Sequence, residues 1–421
     1  MSVLSAIRPA AMFGKINETK TDAKASHRLL DFWRGLAALW VVMDHACSAR
    51  IGQGHPEMLN IPLYAFSHAA LGVLMFFVIS GYCITAAVQS TVRKGGSAGD
   101  FMWARAIRIY PPYLAATLAA ASITILAQWL ASCHRIPPVE HLIAVTGRSF
   151  EFYFASLTLT QLPLHQDCIL MSFWSLCYQI AFYAIVTVVL AVLRKGKIEE
   201  VFTGINCITI IAFTLQIMNP GKYSFPLDLW FPFGLGSIAY QIVFNRSNIF
   251  GNLRGAAVGM GLILSITARG VQMADKLPLS IQVLACIAFC AVLVLTDRYG
   301  AGLLKFRPVL SFAALGSISY SVYLTHPIMR PILMHIGDKL HFTGNLYWVS
   351  YWMQVVVEIA IGYLFYRAAE QPLAKLAKIS PVRIPNLLPK LQAMPQRLPQ
   401  FVQTRLRPEM VQVFLSALLF K

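Results

Sequence analysis

About ten stretches of roughly 20 predominantly apolar residues recur along the 421-residue chain, and that length is what an α-helix needs to cross the hydrocarbon core of a bilayer. They lie near 30–49, 68–89, 109–131, 172–193, 200–218, 226–244, 254–270, 279–297, 312–334 and 345–367. In lipid the backbone has to satisfy its own hydrogen bonds, so such stretches fold as helices. The expected fold class is all-α, a polytopic membrane helix bundle with about ten transmembrane helices. Phe150 to Leu164 is aromatic and apolar but short, and reads as an interfacial or re-entrant segment. Composition agrees: 57% of residues are hydrophobic, 13% are charged and the mean hydropathy is +0.61, more than the core of a soluble enzyme explains.

A formal charge of +17 would point to nucleic acid in a soluble chain, but here its distribution reads as membrane topology. Alternating ten spans from a cytoplasmic N-terminus leaves 26 of the 35 Lys and Arg inside, seven outside, and Arg34 and Arg330 within spans. Both termini are therefore expected in the cytoplasm, with membrane lipids and not nucleic acid as the surroundings. The first 28 residues carry five Lys or Arg and run straight into the apolar segment at Leu29, the pattern of a span that serves as its own targeting signal. Three regions follow: a basic arm over 1–28, a transmembrane domain over 29–371, and a basic Pro-rich tail over 372–421 with eight basic residues against Glu409. The tail has the charge to meet anionic headgroups, and Val411 to Phe420 is amphipathic enough to lie on a membrane.

None of the eight cysteines forms a C-x-x-C pair, so no metal site is expected. Cys133 and Cys168 fall in one long non-cytoplasmic loop, where an oxidising compartment would allow a disulfide.

Ionisable groups inside a span cost roughly 2.5 kcal/mol or more each, so each needs a reason. Arg34 and His45 are eleven residues apart, about three helical turns, and share one face some 16 Å apart along the axis. Asp31 lies one turn before Arg34, close enough to pair with it, whereas Asp44 faces away from His45. A guanidinium to hold an anionic donor and a neutral imidazole to take a proton from a hydroxyl is a combination suited to acyl transfer. A snorkelling anchor and a satisfied interior histidine would look the same from this helix alone.

Other polar clusters join them. Phe76-Phe77-Val-Ile-Ser80-Gly81 offers small residues for close approach of a backbone or ligand, and Arg105 with Arg108, one turn apart, is able to clamp phosphates. Trp174, Tyr178 and Gln179 are placed to meet on one helical face, and Ser319, Tyr320, Tyr323 and His326 set a second histidine in a span, where Pro327 frees a backbone carbonyl.

Taken in order, these motifs resemble the acyltransferase 3 family of bacterial membrane acyltransferases. The likeness runs from Leu30 to Pro372: Leu-Asp-Phe-Trp-Arg-Gly with Arg34 and His45 in R-x10-H spacing, Phe-Phe-Val-Ile-Ser-Gly, Arg-Ala-Ile-Arg followed by Ile-Tyr-Pro, Phe-Trp-Ser-Leu, Ile-Ser-Tyr-Ser-Val-Tyr-Leu-Thr-His, and Glu370-Gln-Pro. The resemblance implies an acyl-CoA co-substrate, usually acetyl-CoA, no tightly bound cofactor, and a carbohydrate acceptor such as a surface polysaccharide or lipid-linked sugar. It implies a multi-pass protein of the bacterial inner membrane, working beside other polysaccharide-assembly proteins. The catalytic candidates are His45, Arg34, Asp31 and His326. Donor-binding candidates are Arg105, Arg108, Phe76, Phe77, Ser80 and Gly81, and those for the acceptor are Trp174, Tyr178, Gln179, Tyr320 and Tyr323. One departure stands out: the family pattern W-S-L-x-x-E calls for a carboxylate where this chain has Gln179, so either the acidic role is unnecessary here, or it is met elsewhere, for example by Asp44 or Glu358, or this member has altered activity. A transporter of an anionic solute and a catalytically silent scaffold are the competing readings.

Overall fold

The structure, a computed structural model, describes residues 20–48, 68–135, 145–193, 198–244, 253–268, 277–339 and 346–373. The N-terminal arm before Lys20 and the tail after Leu373, with its amphipathic stretch, lie outside the described residues. The long regular elements among the described residues are all helices: α1 (Lys20–Ser48), α2 (Ala69–Arg93), α3 (Ala98–Ser132), the short α4 (Phe150–Thr158), α5 (Trp174–Leu193), α6 (Ile198–Met218), α7 (Trp230–Phe244), α8 (Leu253–Thr267), α9 (Leu279–Tyr299), α10 (Arg307–Ser317), α11 (Ser319–Lys339) and α12 (Leu346–Phe365).

Six helical segments are long and apolar enough to cross a membrane, or seven if α10 and α11, bent by 67° at their junction, form one span. The other apolar stretches expected to cross are α1, which carries Asp31, Arg34 and Asp44, and the 15-residue α7 and α8. α7 is apolar apart from the hydrogen-bonded Ser237, Tyr240 and Gln241 and is buried from Trp230 to Ala239, as suits a helix enclosed by protein. Spans packed on it turn large apolar side chains outward, among them Ile211 of α6 and Ile281, Leu284 and Leu295 of α9, where lipid satisfies them. α4 is nine residues long and ends on Leu159 in the left-handed region (φ 56°), too short to span.

Two boundaries differ from the sequence reading. α3 begins at Ala98, not near 109, because Ser97 and Asp100 form a capping box: Ser97 Oγ accepts the Asp100 N–H at 3.0 Å and Asp100 Oδ2 accepts the Ser97 N–H at 2.8 Å. The helix runs on through Pro111 and Pro112, so Arg105 and Arg108 sit well inside it. The 312–334 stretch is two helices. Its break falls at Ile318, after Gly316 and Ser317, rather than at Pro327, which lies within α11.

The most extensive helix pairings are α1 with α10 and α2 with α7, and both depend on missing side chains. A Cβ on Gly316 would stand 1.6 Å from the Asp31 carbonyl oxygen, and one on Gly35 would stand 2.0 Å from that of Phe312. Gly81 and Gly236 mirror this arrangement, each placing a Cβ 2.0 Å from a carbonyl oxygen of the facing helix, Phe233 and Val78 respectively.

Candidate active site

Arg34 is the hinge of the site. Its Nη1 donates to Asp31 Oδ1 at 2.8 Å, and its Nη2 donates to Cys83 Sγ on α2 at 3.1 Å. Both contacts border a cavity of about 370 Å³ lined by α1, α2, α3, α5, α10 and α11. At one end stand His27, Asp31, Arg34, Arg108 and Glu370; at the other stand Val73, Phe76, Ser175 and Tyr323. Glu370 reaches the cavity from a single π-helical turn, Tyr366–Glu370, and its Oε2 accepts a hydrogen bond from Ser321 Oγ at 2.5 Å.

Charge in the cavity favours an anion. Three guanidinium groups, on Arg34, Arg105 and Arg108, face two carboxylates, Asp31 and Glu370. Neither Arg105 nor Arg108 forms an ion pair among the described residues, and the buried Nε of Arg105 has no hydrogen-bond acceptor. A buried donor left unpaired costs about 1–3 kcal/mol, more when charged, and an anionic ligand would remove that cost.

Gln179 lies between these ends. Its Nε2 donates to Ser80 Oγ at 3.1 Å and to Tyr183 Oη at 2.6 Å. A carboxylate there would only accept, so an amide reverses both hydrogen bonds and leaves the cavity one negative charge poorer.

The histidines form a pair beyond the cavity lining. Ser319, Tyr320 and Tyr323 of α11 line it; His326, one turn further on, does not, and neither does His45. His326 Nδ1 lies 2.9 Å from the carbonyl oxygen of Tyr323 and 3.3 Å from that of Val322, and its Nε2 lies 3.1 Å from His45 Nδ1. The Tyr323 carbonyl is the one that Pro327, lacking an N–H, leaves without its usual helical donor. The His326 ring takes that place. Since a carbonyl only accepts, His326 Nδ1 carries a proton; in a neutral ring Nε2 is then an acceptor, and His45 Nδ1–H donates to it. The lone pair of a neutral His45 therefore lies on Nε2, the nitrogen fit to take a proton.

A family model for the acyltransferase domain of acyltransferase 3 proteins matches residues 28–367. The chain belongs to the acyltransferase 3 family. No curated protein and no solved structure matches it. The matched range takes in the cavity from Asp31 of α1 to Tyr323 of α11, together with both histidines. Membership makes the protein an acyltransferase, and its long apolar helices make it a multi-pass membrane one.

Within this acyltransferase 3 frame the residues chosen from sequence divide in three. Asp31, Arg34, Phe76, Phe77, Ser80, Arg105, Arg108, Gln179, Tyr320 and Tyr323 line the cavity, and His45 and His326 meet just beyond it. Gly81, Trp174 and Tyr178 do not line it. Gly81 turns toward the α7 backbone, while Trp174 and Tyr178 diverge from Gln179 to pack on Phe77 and, for Tyr178, on Phe225; Tyr178 Oη donates to Asp228 Oδ2 at 2.6 Å. The substitute acids Asp44 and Glu358 are buried but outside the lining, and the carboxylates that reach it are Asp31 and Glu370. Cys83, Ser175 and Tyr183 also line the cavity. Cys83 was within reach of sequence reasoning, since Val73, Phe76, Ser80 and Cys83 repeat at the spacing of one helical face. Cys133 and Cys168 are free thiols rather than a disulfide, and the neighbour of Cys168 is Cys177.

Proposed function

We propose that this acyltransferase moves an acyl group, acetyl in the usual case, from a cytoplasmic acyl-CoA to a hydroxyl of a surface polysaccharide, lipid-linked sugar or oligosaccharide. The observation that carries the reading is the cation-lined cavity ending one helical turn from the His45–His326 pair. A CoA thioester has phosphates at one end of a long flexible arm and the reactive carbonyl at the other. The guanidinium groups suit the phosphates, and the deep end suits the thioester.

In the proposed chemistry His45 Nε2 takes the proton of the acceptor hydroxyl as its oxygen attacks the thioester carbonyl. The C–O bond forms, the C–S bond breaks, and the CoA thiolate leaves with the proton returned from the imidazolium. His326 supports the imidazolium by accepting from Nδ1. Arg34, about 16 Å back along α1, holds the donor and is not at the reacting carbon. Since acyl-CoA is a cytoplasmic metabolite and the acceptor an envelope glycan, the inner membrane of a bacterium is the compartment this reading requires. Polysaccharide-assembly proteins are the partners it calls for.

A transporter would call for broken helices in two matching halves; α10 with α11 is one bent pair among the described residues. His45→Ala is expected to leave an inserted protein with acyl transfer lowered by about 10²–10⁴-fold, the usual worth of a general base. Mass spectrometry of the cell-surface glycan, with and without the gene and with the variant, reads the result. Normal acylation by His45→Ala would overturn the mechanism.

A further inference from the structure

The face that α2 turns to the cavity changes character along its length. Cys83 and Ser80 stand level with the guanidinium groups: Cys83 Sγ accepts from Arg34, and Ser80 accepts from Gln179. Seven residues back from Cys83, about 10 Å by helix rise, Phe76 stands at the deep end, with its ring centroid 5.8 Å from that of Tyr323 in an edge-on contact. Any group carried from the guanidinium end toward the histidines meets this pair.

The two rings are held differently. Tyr323 is fixed: its Oη and Ser175 Oγ share a hydrogen bond at 2.6 Å, it also donates to the Ser172 carbonyl at 3.0 Å, and its ring lies against His326 at 5.7 Å. Phe76 has no polar tether and is only partly buried. Its bulk therefore sets how much apolar length fits before the histidine pair.

We propose that Phe76 is the residue that limits acyl-chain length, confining the donor to short thioesters of the acetyl class. This rests on the acyl-transfer reading above and adds to it the class of acyl group. An apolar pocket discriminates by roughly 10- to 200-fold for a single methylene, so a chain longer than acetyl by four methylenes is rejected far more strongly.

The test uses membranes from a gene-deleted host in which wild type, Phe76→Ala or Phe76→Leu has been restored, supplied with radiolabelled acetyl-CoA or hexanoyl-CoA. Ester-linked label in the membrane glycan is counted, and the hexanoyl-to-acetyl ratio is compared, which is independent of how much protein folds. Wild type is expected to transfer acetyl in strong preference to hexanoyl, with a small but measurable ratio. Phe76→Ala is expected to raise the ratio by at least about tenfold, with Phe76→Leu between the two. An unchanged ratio in both variants while acetyl transfer persists overturns the proposal and leaves the acyl-transfer reading standing, as does a wild type that accepts hexanoyl as readily as acetyl. Loss of transfer from both donors in both variants also overturns it, because Phe76 then serves donor binding as a whole and not the length of the acyl chain. Absence of glycan label from wild type with either donor sinks the acyl-transfer reading itself and this proposal with it.

Discussion

His326 illustrates how one residue's role follows from its neighbour in sequence. Pro327 withdraws the amide that would have bonded the Tyr323 carbonyl, the His326 ring supplies Nδ1–H instead, and Nε2 is thereby turned toward His45 as an acceptor. His326→Ala is expected to lower kcat by about 10²-fold or more with little change in KM for acyl-CoA. His326→Gln, whose Oε1 accepts from His45 Nδ1, is expected to restore part of the rate. Steady-state kinetics on purified protein checks both, and a rise in KM with unchanged kcat would place His326 in donor binding instead. Much of the site is legible in sequence at this scale because an ionisable group inside an apolar span is expensive: Arg34, His45 and His326 draw attention by cost alone. Ser175, Tyr183 and the hydrogen bonds of Gln179 carry no such cost. Their roles come from contacts between helices that no single segment encodes.

Among the elements, the apolar stretches fall on helices because a 20-residue hydrophobic run has no other stable form in lipid. Where the reading slipped, local chemistry outweighed hydropathy. The polar turn Ser97-Ala-Gly-Asp100 starts α3 well ahead of its apolar run, and the Gly316–Ser317 step divides α10 from α11 inside one. The glycines also carry a stability prediction. Gly81→Ala and Gly316→Ala each force a Cβ into a facing backbone carbonyl, so the helices must part; a loss of at least about 1–3 kcal/mol is expected, as for overpacked cores. Thermal unfolding in detergent measures it. Gly95→Ala, in an exposed turn with open space around it, serves as the comparison, with its positive φ of 69° a separate and milder strain.

For the molecule as a whole, cysteine chemistry tests the topology. Cys133 caps the far end of α3 from Arg105 and is exposed, whereas the Cys177 thiol beside Cys168 and burial together push the Cys168 thiol well above its ordinary range. With the termini in the cytoplasm, a membrane-impermeant maleimide is expected to label Cys133 rapidly in spheroplasts and Cys168 at least about tenfold more slowly at neutral pH, since only the thiolate reacts. Mass spectrometry of the labelled peptides reads both rates. Labelling of Cys133 only after the vesicles are inverted would reverse the topology. The enclosure of α7 bears on how such a bundle is made. A helix of 15 residues, shorter than the bilayer core is thick and covered by protein along most of its length, gains little from being released alone into lipid. Its insertion has to be cooperative: α2 emerges from the ribosome first and must wait in the membrane, with Gly81 unoccupied, until α7 arrives to fill the groove.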